Sequence, residues 1–76
     1  MSPEKLVYMA NQIGKFFKNQ PEPMAVASIA DHLRKFWDPR MRKAILAHLD
    51  LGGAGLDPLP MQAVGVLKAE AEKLPA

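Results

Sequence analysis

Apolar side chains return at steps of three and four residues through most of this chain. No stretch alternates with the period of two that a half-buried strand requires. Leu6, Met9, Ala10, Ile13, Phe16 and Phe17 form the first stripe, with Lys5, Gln12, Lys15 and Asn19 mostly on the opposite side. Ser2 is placed to cap this helix, Pro3 to occupy its first position and Glu4 to meet the positive end of its dipole. The pattern predicts a helix to about Asn19. There Gln20-Pro21-Glu22-Pro23 makes a stiff link over residues 20–23, because prolines inside a helix remove donors and clash with the preceding turn.

A second helix is predicted from about Met24 to Phe36, with Val26, Ile29, Ala30, Leu33 and Trp37 on one stripe and Phe36 at its edge. Asp31 precedes Arg34 and Lys35 by three and four positions and can pair with either, at about 0.2–0.5 kcal/mol a pair. Asp38-Pro39 ends this helix and starts the next. Proline biases Asp38 away from helical angles, and Asp38 then caps a third helix running to about Leu49. Met41, Ala44, Ile45, Leu46 and His48–Leu49 are its candidates for burial. Three glycines in Gly52-Gly53-Ala54-Gly55 allow a left-handed termination and a Gly-rich turn over 52–55. Asp57-Pro58 repeats the cap-and-proline start, and Leu59, Ala63, Val64, Leu67 and Ala71 carry the stripe to about Lys73. Pro60 and Gly65 weaken this fourth helix, and the last residues are expected to fray.

The reading is therefore an all-α protein, a small bundle of three to four short helices in a single domain over residues 1–76. At 76 residues such a chain buries only about 60% of its unfolded surface, so the core is thin. The start of the chain lacks a basic segment followed by an apolar stretch, and no apolar run approaches membrane-spanning length. A soluble, cytoplasmic module with no membrane partner is the expectation.

Composition removes several chemistries. The absence of cysteine excludes disulfides, thiolate metal sites, iron–sulfur ligation and cysteine nucleophiles together. His32 and His48 have no close-spaced second ligand, so no metal site is expected. Threonine is absent, leaving Ser2, Ser28 and Tyr8 as hydroxyls. Ser28 lies four residues before His32, but no oxyanion hole accompanies the pair, and it reads as an ordinary helix residue. The glycines at 52, 53 and 55 lack the strand-to-helix context of a phosphate loop and read as a turn. Neither a catalytic nor a cofactor-binding residue is expected.

Charge changes the picture more. The formal net charge is +2, yet Arg34, Lys35, Arg40, Arg42 and Lys43 crowd one short window in which Asp38 is the acidic residue. Phe36 and Trp37 stand inside it, and aromatic and arginine side chains together are the composition of a binding hot spot. Trp37 reads equally as the centre of a thin core. The alternative is a small basic nucleic-acid-binding protein that presents Arg40, Arg42 and Lys43 on helix three. That helix offers none of the Asn, Gln, Ser or Thr side chains that commonly read bases.

The run Ala30-Asp31-His32-Leu33-Arg34-Lys35-Phe36-Trp37-Asp38-Pro39-Arg40-Met41-Arg42 is specific in its order of aromatic, charged and proline residues. Together with Lys5-Leu6-Val7-Tyr8-Met9-Ala10-Asn11-Gln12-Ile13 and Gly52-Gly53-Ala54-Gly55-Leu56, it resembles the delta subunit of bacterial NAD-dependent formate dehydrogenase, from Lys5 to about Leu59. The resemblance implies an accessory subunit, not catalytic alone, that binds the catalytic alpha subunit and its complex and supports maturation, stability or activity. It also implies that the complex carries a molybdenum bis-pterin cofactor, iron–sulfur clusters, FMN and NAD in other chains.

His32, Lys35, Phe36, Trp37, Arg40, Arg42 and Lys43 are the expected partner-binding residues. Their partner should supply carboxylates or backbone carbonyls, since a guanidinium engages a carboxylate through two parallel hydrogen bonds.

Overall fold

The computed structural model describes residues 2–73 and contains four helices: α1 (Pro3–Phe17), α2 (Glu22–Phe36), α3 (Pro39–Asp50) and α4 (Pro58–Lys73). No strand occurs among the described residues. The expected fraying after Lys73 lies outside them.

Local chemistry accounts for where each helix starts. Ser2 Oγ accepts the Lys5 N–H at 3.2 Å, and Asp38 Oδ1 accepts the Met41 N–H at 3.0 Å. The first-turn N–H groups of a helix have no partner inside it, so each cap satisfies a donor that would otherwise be left to water. α2 starts two residues earlier than the pattern predicts. Pro21 is its N-cap residue and Pro23 lies within its first turn, where a missing N–H costs no intrahelical bond. The link is accordingly shorter than residues 20–23. α1 stops at Phe17, two residues short of the expected end, and α3 runs one residue further, to Asp50.

α3 ends in paired reversed bonds: Gly53 N–H donates to the His48 carbonyl (3.0 Å) and Gly52 N–H to the Leu49 carbonyl (2.9 Å). This is the Schellman arrangement, and it needs the positive φ of 115° at Gly52. α4 is continuous despite Pro58 and Pro60, because both fall within its first turn.

α2 is the centre of the bundle. Ala25, Val26, Ile29, Ala30 and Leu33 are all buried, and its most extensive packing is against α4 through Ala63, Val64 and Leu67. Leu6, Val7 and Ala10 of α1, Ile45 of α3, Leu56 of the connecting loop and Trp37 complete the core. Trp37 is 4% exposed, so the core reading of this residue holds and its indole is withdrawn from the surface.

Several stripe residues lie outside the core. Leu6, Val7, Ala10 and Gly14 form the buried arc of α1. Phe16 sits one step, about 100°, around the helix from Phe17 and is 79% exposed. Ala44 and Ala71 are exposed as well.

A candidate docking surface on helices one to three

Four aromatic rings run from the end of α1 onto α2. Phe16 and Phe17 meet edge to face at 5.0 Å between centroids. Phe17 lies 6.5 Å from the His32 ring, and His32 lies 4.7 Å from Phe36 in a tilted stack. These separations are those of favourable aromatic pairs. The inner two rings are partly covered, while the outer two, Phe16 and Phe36, face solvent. Gln12, Ile13, Phe16, Phe17 and His32 line a groove of about 310 Å³. Tyr8, also exposed, falls on the same face of α1 as Gln12 and Phe16 through steps of four.

The expected partner-binding residues divide into two groups. His32, Lys35, Phe36, Arg40 and Lys43 are exposed or half-exposed. Trp37 and Arg42 are occupied internally. One Arg42 guanidinium nitrogen donates to the Arg34 carbonyl at 3.2 Å and also to the Trp37 carbonyl. It thereby satisfies carbonyls at the end of α2 that have no helical donor and places positive charge at the negative end of that helix.

Ion pairing thins the basic window further. Arg34 grips Glu70 of α4 with Nε at 2.8 Å and Nη2 at 2.8 Å, and lies 3.7 Å from Asp31. The Glu70 carboxylate holds the Arg34 pKa above its ordinary value, and the guanidinium holds the Glu70 carboxyl below the usual carboxylate range. Lys35 pairs with Asp31 at 3.0 Å, as the spacing predicts. Lys68 of α4 pairs with Asp50, and that hydrogen bond raises the lysine pKa. Among the described residues Lys15, Lys18, Arg40 and Lys43 enter no ion pair. Lys15 and Lys18 flank Phe16–Phe17 in sequence but line a second groove with Gly14, Asp57, Pro58, Leu59 and Pro60, whereas Arg40 and Lys43 follow Phe36 in the chain.

The remaining polar candidates have structural roles. Ser28 Oγ donates to Gln20 Oε1 at 2.8 Å, tying α2 to the link before it. His48 Nε2 lies 2.8 Å from the Ala54 carbonyl, so the imidazole also fastens the glycine turn. No group of three His, Asp or Glu side chains gathers among the described residues in a way that could hold a metal ion. No helix among them is long and apolar enough to cross a membrane.

The family model of the NADH-dependent formate dehydrogenase delta subunit, FdsD, matches residues 5–64. The chain belongs to that family. The matched span takes in the aromatic strip, the Asp38 cap, the basic window and the glycine turn, and it stops within α4 before Lys68 and Glu70. A formate dehydrogenase delta subunit is part of a multi-subunit enzyme, and the family match lends no support to the nucleic-acid reading of α3. No curated protein and no solved structure matches the chain.

Sequence reasoning placed Phe36 and His32 at the surface site but put Phe16 in the core. The signal that separates Phe16 from Phe17 was present: the arc through Leu6, Ala10 and Gly14 includes Phe17 and leaves Phe16 outside. Glu70 as the partner of Arg34 carried no local signal, since 36 positions separate them.

Proposed function

We propose that this chain is a non-catalytic docking subunit of formate dehydrogenase. It binds the catalytic alpha subunit in the cytoplasm and supports the maturation, stability or activity of the assembled enzyme. Its contact surface is the aromatic strip of Phe16, His32 and Phe36 with Lys35, which pairs with Asp31, and with Arg40 and Lys43, which enter no ion pair among the described residues. Formate oxidation, with its molybdenum bis-pterin, iron–sulfur, FMN and NAD chemistry, belongs on this reading to the other subunits, because this chain has no cysteine to ligate a cluster.

The observation that carries the reading is the exposure of two phenylalanines, Phe16 at 79% and Phe36 at 72%, joined through His32 on one face. Exposed aromatic side chains grouped in this way commonly mark an interaction site, and burying them against a partner removes apolar area from water. The direct test is capture of the tagged chain from cells that express the whole enzyme. Co-purification with the large catalytic subunit is the expected result. Recovery of the tagged chain alone from those cells overturns the proposal.

A further inference from the structure

We infer that the groove between the end of α1 and the start of α4 is a second docking site, filled by an acidic segment of another formate dehydrogenase subunit; this rests on the docking reading above and adds a contact on the other side of α1 from the aromatic strip. Lys15 and Lys18 form its α1 wall and residues 57–60 its α4 wall, and Gly14 and Pro60, which pack on each other, join the two. Its volume is about 270 Å³. Pro58, Leu59 and Pro60 offer apolar surface, and the fixed φ of proline holds two of the three in place before anything binds. A preformed wall avoids the ordering cost that binding otherwise carries.

Charge selects the occupant. Lys15 and Lys18 are exposed and enter no ion pair among the described residues. Asp57 is the carboxylate of the groove, and it enters none either. Nor can it cap its helix as the other two helix-start residues do. Ser2 and Asp38 each accept the N–H three positions on, but the residue three positions after Asp57 is Pro60, which has no N–H to give. The groove therefore carries two cations against one anion. An incoming carboxylate is drawn to the α1 wall and repelled from the Asp57 end, so charge orients the occupant as well as attracting it. A second copy of the chain matches less well. A two-fold interface brings each patch to itself, so four lysines would meet two carboxylates. The occupant is a segment whose carboxylates meet Lys15 and Lys18 and whose apolar atoms cover Pro58 and Leu59.

The experiment titrates purified full-length chain, at low and high salt, onto formate dehydrogenase purified from cells lacking this chain. Variants are the pair Lys15→Gln with Lys18→Gln, the pair Lys15→Glu with Lys18→Glu, Asp57→Asn and Phe36→Ala, each first checked for a wild-type helical spectrum. All four positions are exposed, so the fold should persist. The neutral lysine pair is expected to weaken binding at least about tenfold and to flatten its dependence on salt. The reversed pair should weaken it further, and Asp57→Asn should strengthen it. Carbodiimide joins an ammonium to a carboxylate in contact with it, and should link Lys15 or Lys18 to an aspartate or glutamate of another subunit. Wild-type binding by both lysine pairs, with loss in Phe36→Ala, overturns the groove and leaves the docking proposal standing. Wild-type chain that fails to bind the enzyme overturns both. Asp57→Asn that binds as weakly as the lysine pairs shows an occupant that needs the anion, and overturns the acidic segment. Links from Lys15 or Lys18 of one copy to Asp57 of another, with self-association that the lysine pairs abolish, assign the groove to a second copy and overturn the inference.

Discussion

Gly14 of α1 lies directly beneath Pro60 of α4, so close that a Cβ at Gly14 would stand 2.7 Å from the proline Cγ and 2.9 Å from its Cδ. A pyrrolidine ring has little freedom to move aside. Gly14→Ala should therefore force the two helices apart, at an overpacking cost of about 1–3 kcal/mol. The better helix propensity of alanine offsets about 1 kcal/mol of that. Gly65, in the middle of α4, is the internal control, since nothing lies within 4 Å of a Cβ there. Gly65→Ala should stabilise by about 0.5–1 kcal/mol. Urea midpoints of the two variants should move in opposite directions, and a shared direction would refute the close-approach account.

The bidentate contact of Arg34 with Glu70 predicts an acid-sensitive stability. The fold lowers the Glu70 pKa from its ordinary value of 4.5, chiefly through the hydrogen bonds from Arg34. A lowered pKa means that the folded state holds this proton less tightly than the unfolded chain. Its contribution is therefore present above about pH 4.5 and disappears as pH falls through the folded-state value. Glu70→Gln should show a shallower loss of stability on the acid side. Lys68 predicts the mirror image, because its raised pKa makes its contribution disappear as pH rises through the folded value. Urea unfolding at a series of pH values measures both, and a Glu70→Gln acid limb as steep as the wild type would contradict the assignment.

Trp37→Ala should destabilise the isolated chain by about 3–5 kcal/mol, the usual range for removing a buried aromatic side chain. In a domain this small that approaches the whole stability of the core. Trp37 is the single tryptophan, so its emission is a direct readout: it should shift to the red on unfolding of the wild type. A Trp37→Ala protein with wild-type helicity and melting temperature would remove Trp37 from the core.

Asn11 braces the loop before α4 with both ends of its carboxamide. Nδ2 donates to the Gly55 carbonyl at 3.0 Å, and Oδ1 accepts the Asp57 N–H at 2.9 Å. Asn11→Ala removes two hydrogen bonds, each contributing about 0.5–1.5 kcal/mol. Asn11→Asp keeps the acceptor but turns an anion toward a carbonyl. Hydrogen exchange at the Asp57 amide should quicken in Asn11→Ala and remain slower in Asn11→Asp. Unchanged exchange in Asn11→Ala would show that the loop is held elsewhere.

These four cases show what local sequence can and cannot convey. Ser2, Asp38 and the three glycines act on backbone groups within a few residues, so the starts of α1 and α3 and the α3 termination were readable from short strings. The buried stripe of α2 was readable as well, because Val26, Ile29 and Leu33 repeat with the helical period, but its place at the centre of the bundle was not. Gly14 and Asn11 were not, since their partners Pro60 and Gly55 approach only after the chain has doubled back. The candidate surface divided in the same way. Phe36 and Lys35 were legible as exposed members of a basic, aromatic window. The withdrawal of Arg42 to cap α2 depends on the turn through Trp37, Asp38 and Pro39, whose exact path no residue pattern specifies.

The packing of α2 on α4 also has a consequence on the ribosome. Leu67 is made 34 positions after Leu33, which at roughly 5–20 residues per second is about 2–7 s of synthesis. Throughout that interval the face of α2 carrying Ile29 and Leu33 exists without the helix that covers it. Chains truncated before Pro58 should therefore be protease-sensitive, and resistance should return when residues 58–73 are restored.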